Sequence, residues 1–186
     1  MVIVFGVFFR AWTIVQTDLD AVQSLSFSFS LSFPIFASME RVKMAFITIL
    51  ALMIGGAVNM GIIELNSALF PIKGYDMTKV EDINRAIKTF PVWRFIMPFL
   101  AHAAGTFVGA FLAARFLKRR AKLAAGIIGA VFFYGGYAAV KMIQAPLWFD
   151  LTDLLLAYFP MAYLGYVFGR YQFLKSDKTA QKASAL

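Results

Sequence analysis

The sequence predicts an all-α membrane protein: an antiparallel four-helix transmembrane bundle with a short amphipathic helix in the first outer loop. Three observations carry this. Of 186 residues, 61% are hydrophobic and only 15% charged, against about 45–50% and about 25% in a soluble domain. One globular core cannot hide that much apolar surface. Four apolar stretches approach the roughly 20 residues that a membrane helix needs. The basic residues are also distributed unevenly between the two ends of those stretches.

The predicted spans are 44–63, 95–117, 123–140 and 151–168. The first is uncharged (MAFITILALMIGGAVNMGII) and the second follows Arg94. Lys122 and Lys141 bracket the third. The fourth carries Asp153 near its start and Pro160 at mid-depth, which frees the carbonyl of Leu156. None shows the period-2 alternation of a lipid-facing strand, so a closed β-barrel is excluded.

Arg41 and Lys43 precede the first span, and Arg115, Lys118, Arg119, Arg120 and Lys122 fill the turn between the second and third. Arg170, Lys175, Lys178 and Lys182 follow the fourth, in or beside a tail at 175–186. The formal charge of +8 thus divides into +9 on this side, 0 in the other loops and −1 in residues 1–38. Both termini are expected to be cytoplasmic. The basic turn reads as a topology signal and a contact for anionic lipids, not as a nucleic-acid surface.

In the first outer loop, Thr78 is the expected N-cap, with Glu81 and Asp82 in the first helical turn. Val80, Ile83, Ile87 and Phe90 recur at 3–4 spacing. The helix either lies on the membrane surface or caps the bundle. Residues 1–38 do not match the rest. Ser24 to Ser38 alternates Ser with Phe or Leu, a strand-like pattern. Met39-Glu40-Arg41-Val42-Lys43 has the pattern of a short cytoplasmic start, so translation is expected to begin at Met39, with 1–38 a non-native upstream extension, and the four-helix domain to cover 39–174. The alternatives for 1–38 are a poorly ordered extra hydrophobic segment and an atypical signal sequence. A Gly pair followed by Pro-x-Trp occurs twice, at Gly55-Gly56 with Pro91-Val92-Trp93 and at Gly135-Gly136 with Pro146-Leu147-Trp148. This fits a parallel repeat of two hairpins.

The few polar residues within the spans are where chemistry is sought. His102, the only histidine, lies roughly 13 Å below Trp93 at about 1.5 Å per residue, near the bilayer midplane. Tyr158 on the fourth helix falls at nearly the same depth, and Thr106 is one turn beyond His102. A neutral His102 is expected to hydrogen-bond Tyr158 or the carbonyl freed by Pro160; a proton relay or ligand site is the alternative. Asn59 is expected to extend a polar path toward His102, joined by Asp153 and by Tyr134 and Tyr137. At the outer rim stand Glu64, Arg94, Lys141, Asp150 and Asp153. Helix dipoles disfavour Glu64 and Arg94 where they stand, so these two are expected to form an ion pair. Ala101, Gly105, Gly109 and Ala113 make a small-residue packing face, within the bundle or between copies.

No catalytic set is present: there is no HExxH, GxSxG or Walker loop, and no Cys. No cofactor and no metal site are expected. Partners are the lipid bilayer and either a second copy or a membrane subunit. His102-Ala103-Ala104-Gly105-Thr106-x-x-Gly109-Ala110, Ala145-Pro146-Leu147-Trp148-Phe149 and Asp153-Leu154-x-x-Ala157-Tyr158-x-Pro160-Met161-Ala162 resemble a family of small bacterial four-helix inner-membrane proteins of unknown function. The likeness covers about Met39 to Arg170 and implies a fold and a membrane, but no activity. Three functions fit: a non-enzymatic binding, accessory or assembly subunit; an oligomeric transporter or channel for a small solute or proton; and an intramembrane enzyme using His102. A dry, packed His102 favours the first, and a water-accessible one the others.

Overall fold

The computed structural model describes the backbone of residues 32–117 and 119–184, and the side chains of 39–117 and 119–176. The chain divides into two compact units, Met1–Arg41 and Val42–Leu186. The account below concerns the second. Most of the described residues are helical, and none is in a strand. The helices are α1 (Ser32–Leu69), α2 (Val80–Ala86), α3 (Ile96–Phe116), α4 (Ala121–Met142), α5 (Leu147–Leu156) and α6 (Phe159–Ser184). Short 3-10 turns at Ile87–Thr89 and Val92–Phe95 lead from α2 into α3.

Four segments are long and apolar enough to cross a membrane: Met39–Leu69, Val92–Phe116, Ala121–Met142 and Leu147–Ser176. Each is longer than the matching hydrophobic run, because the helix continues into its polar flanks. Residues 32–38 are helical, not strand-like; Pro34 falls in the first turn of α1, where its missing N–H costs little. The remainder of 1–31, the alternating Ser24 to Leu31 stretch included, lies outside the described residues. So does Lys118.

Small residues set the helix contacts. A methyl on Gly55 would lie 2.5 Å from the Gly105 carbonyl oxygen, and one on Gly109 3.1 Å from that of Ala51. The face Ala101, Gly105, Gly109, Ala113 is buried, and its two glycines meet α1 of the same chain. On the other side of α3, Gly165 and Gly169 of α6 lie against the backbone of Phe107 and Phe111. The core they enclose is rich in alanine: Ala51, Ala110, Ala113, Ala114, Ala121, Ala124, Ala125 and Ala162 surround Ile128. Close backbone approach supplies the packing that larger side chains supply elsewhere.

The fourth span is broken. α5 ends at Leu156, Ala157 and Tyr158 form a turn, and α6 resumes at Phe159. Pro160 is the cause, since it cannot donate to Leu156 and is accommodated in a first helical turn. Irregular backbone at membrane depth is tolerated where protein covers it or a cavity adjoins it. Here Ala157 and Tyr158 are buried, packed with Ala103 and with Phe99, Phe132 and Phe133. The Gly pairs of the apparent repeat are used differently: Gly55 packs in the first and Gly136 in the second, while Gly56 and Gly135 face open space.

Candidate functional site

The break turns Tyr158 into the bundle, where it meets α3 and the middle of α5. Its hydroxyl donates to Asp153 Oδ2 at 2.8 Å. His102 Nδ1 lies 2.9 Å from both Asp153 oxygens and 3.1 Å from the Tyr158 hydroxyl. A carboxylate only accepts, so these partners assign the imidazole proton to Nδ1. Two donors, one from α3 and one from the turn after α5, thus converge on one carboxylate. The Asp153 side chain is 4% exposed and that of His102 23%. Gly136 makes the arrangement possible, since any Cβ there would collide with the Tyr158 phenol.

Of the two places expected for Asp153, the rim and the polar group around His102, the structure gives the second. The fourth span begins at Leu147 rather than near Asp153, so this residue sits nearly two turns inside and not at the entrance. It takes the role expected of a freed carbonyl as the acceptor beside His102. Thr106 is buried but donates to the His102 carbonyl at 2.8 Å, a bond within α3. Asn59 does not continue a polar path to His102. It packs against Gly105, its Oδ1 is buried without a partner, and it does not line the cavity described next. Tyr134 and Tyr137 point outward, 68% and 44% exposed.

A partly enclosed cavity of about 260 Å³ runs from the loops at 70–91 and 143–145 to His102, Gly136 and Asp153. Phe70, Phe90, Phe95 and Phe149 line it, together with Arg94 and Asp150. Ile83 and Ile87 turn their side chains into it, which makes the loop helix a cap. Asn84 holds the cap down: its amide donates to the Met142 carbonyl at 3.1 Å and its Oδ1 accepts from the Gln144 amide at 2.8 Å. The expected Thr78 N-cap is not used. α2 begins after Lys79, and Thr78 donates its amide (3.0 Å) and hydroxyl (2.6 Å) to Asp76 Oδ1. Asp82 accepts from the Asp76 amide at 2.9 Å. These bonds hold the Asp76 and Asp82 carboxyls below the usual aspartate range.

The expected ion pair between Glu64 and Arg94 does not form. Arg94 donates to the Phe70 carbonyl at 3.1 Å, and its guanidinium lies 5.4 and 5.1 Å from the ring centres of Phe90 and Trp93. Phe70 follows the last residue of α1, where carbonyls lack helical partners and a cation is favoured. Glu64 is exposed, roughly one and a half turns earlier. In the basic turn, Arg115 donates to Ser176 Oγ at 2.8 Å, while Arg119, Arg120 and Lys122 are exposed. No cluster of three or more His, Asp or Glu forms among the described residues.

Chemically, the arrangement is a carboxylate–imidazole pair. Asp153 holds Nδ1–H, which leaves the lone pair on Nε2. That atom has no hydrogen-bond partner among the described residues and is not a buried orphan. His102 lines the cavity, so Nε2 can accept a proton or a hydrogen bond from something inside it. Of the two placements the 3–4 spacing of Ile83, Ile87 and Phe90 left open, these contacts correspond to the cap; sequence reasoning missed the role of Asn84, which no local pattern signals.

Fold and site together define a class: a multi-pass helical membrane protein with an Asp–His pair at the floor of a capped cavity. No protein-family model, no curated protein and no solved structure matches the chain.

Proposed function

We propose that this is a non-enzymatic binding protein of the bacterial inner membrane that takes a small ligand from the outer side into the cavity above His102. The antiparallel bundle is supported by the contacts of Gly55 with Gly105 and of Gly109 with Ala51, in which α1 positions rise as α3 positions fall. Cytoplasmic termini follow from the +9 and 0 charge division. The exposed Arg119, Arg120 and Lys122 then face the cytoplasmic leaflet, where anionic lipids meet them.

A cavity that reaches His102 sets aside the dry, packed accessory subunit weighed from the sequence; the reading kept is binding within that cavity, and it is carried by an imidazole at the floor whose second nitrogen makes no hydrogen bond among the described residues. At about 260 Å³ it falls just below the ~300 Å³ at which small-molecule pockets usually begin, so the ligand is compact. The chain has no Cys, which makes a single introduced thiol a clean probe. Ala139→Cys, on the cavity wall, is expected to react in intact cells with a small membrane-impermeant thiol reagent. Lack of reaction from either side would show that water does not reach the cavity and would overturn the reading.

A second reading, transport of a small solute or proton by an oligomer, is favoured by the break at Ala157–Tyr158, because discontinuous helices frame the sites of many transporters. Flux in proteoliposomes that is lost in His102→Ala supports it; flux unchanged by that substitution removes His102 from any such mechanism.

A further inference from the structure

The polar groups facing the cavity are unevenly satisfied. Its hydroxyl and its cation are engaged: Ser67 Oγ donates to the Ile63 carbonyl at 3.1 Å, and Arg94, the one lining cation among the described residues, is turned onto the Phe70 carbonyl and stacked on Phe90 and Trp93. Asn66 lines the cavity with its side-chain amide unbonded among the described residues, a neutral group that offers donors and an acceptor alike. The charged or basic groups left over are acceptors. Asp150 lines the cavity half-buried, and its carboxylate has no hydrogen-bond or ion-pair partner among the described residues. His102 Nε2 is the second free acceptor, at the floor. Phe95 and Phe149, with ring centres 4.9 Å apart, and Phe70 supply aromatic surface beside them.

We propose that the cavity selects an organic ammonium ion with a compact apolar body, the ammonium paired with Asp150 and the body among Phe70, Phe95 and Phe149. This rests on the binding reading above and names its ligand class. An ammonium brings donors and no acceptors, which is what two unfilled acceptors require. Aromatic faces attract cations and exclude anions. A carboxylate ligand would set its charge against Asp150 and Asp153, with only an engaged Arg94 to offset them.

The test uses the full chain in lipid nanodiscs, with three probes of one shape and different charge: cyclohexylmethylamine, cyclohexylmethanol and cyclohexanecarboxylate. Calorimetric titration, with empty nanodiscs subtracted, is expected to show the amine bound about tenfold tighter than the alcohol, the scale of one charged hydrogen bond. Asp150→Asn should remove that preference and Asp150→Glu restore it. Equal binding of amine and alcohol, or preference for the carboxylate, overturns the ammonium proposal and leaves a binding cavity standing. Binding of none of the three overturns both. An amine preference that survives Asp150→Asn overturns the role of Asp150.

Discussion

The phenol of Tyr158 occupies the space that Gly136 leaves on the facing helix. The contact fixes where the broken fourth span can place its hydroxyl, and through it the carboxylate of Asp153. Gly136→Ala is therefore expected to destabilise the protein by about 1–3 kcal/mol, the usual range for an overpacked core. Its neighbour is the control: Gly135 has open space around its Cα, and Gly135→Ala should be neutral or gain up to ~1 kcal/mol of helix propensity. Thermal unfolding of both variants in the same detergent decides the matter, and equal losses would refute the assignment.

The cluster should lose stability unequally when its members are removed. Tyr158→Phe deletes one hydrogen bond to a carboxylate, worth about 1.5–3 kcal/mol. His102→Ala leaves the buried Asp153 with a single neutral donor, a loss of about 3–5 kcal/mol. Equilibrium unfolding should rank the variants in that order. A larger loss for Tyr158→Phe would mean that Asp153 is not held by the imidazole.

Asn84 ties the cap to the loop between α4 and α5 by two hydrogen bonds. Asn84→Ala should raise amide exchange throughout 80–90 and speed thiol labelling of Ala139→Cys, with little change in global stability. Each lost bond is worth about 0.5–1.5 kcal/mol, enough to open the cap locally. Unchanged exchange would show that the apolar contacts of Ile83 and Ile87 hold it alone.

The turn before α2 carries its own pH response. Asp76 is lowered chiefly by the hydroxyl and amide of Thr78, and Asp82 by the Asp76 amide and then Arg85, from the ordinary value of 3.8. A depressed carboxyl favours the folded turn above the unfolded value and ceases to as pH falls through the folded one. The turn should thus stay intact down to 3.8 and loosen only below it. Carbon-13 carboxyl titration should place both midpoints under 3.8; a midpoint at or above it would refute the hydrogen-bonding scheme.

The spans were legible because 20-residue apolar runs have few alternative uses in water. His102 was legible for the complementary reason: an imidazole at that depth needs a partner. Depth pointed to Tyr158, whose hydroxyl lies 3.1 Å from Nδ1; Asp153 as the acceptor was not legible, because that depended on where the fourth helix begins. Four residues, Leu147 to Asp150, moved Asp153 from the rim to the core. Arg94 was misjudged similarly. Charge pairing along the sequence pointed to Glu64, whereas the end of α1 offered a carbonyl closer at hand. Periodicity marked Ile83 and Ile87 as one apolar face but left open whether membrane or bundle covers it; that choice, and the bonds of Asn84, depend on how the loop folds back.

The break in the fourth span separates two pieces that are held in different ways. α6 is pressed backbone to backbone onto α3 through Gly165 and Gly169. The ten residues of α5 reach α3 and its approach through side chains: Trp148 and Phe149 on Phe95, and Asp153 on His102. The turn at Ala157–Tyr158 is therefore a joint between two kinds of packing, and both Asp150 and Asp153 stand on the piece seated by side chains. The position of the two carboxylates is thus set by ring contacts and one imidazole rather than by backbone approach.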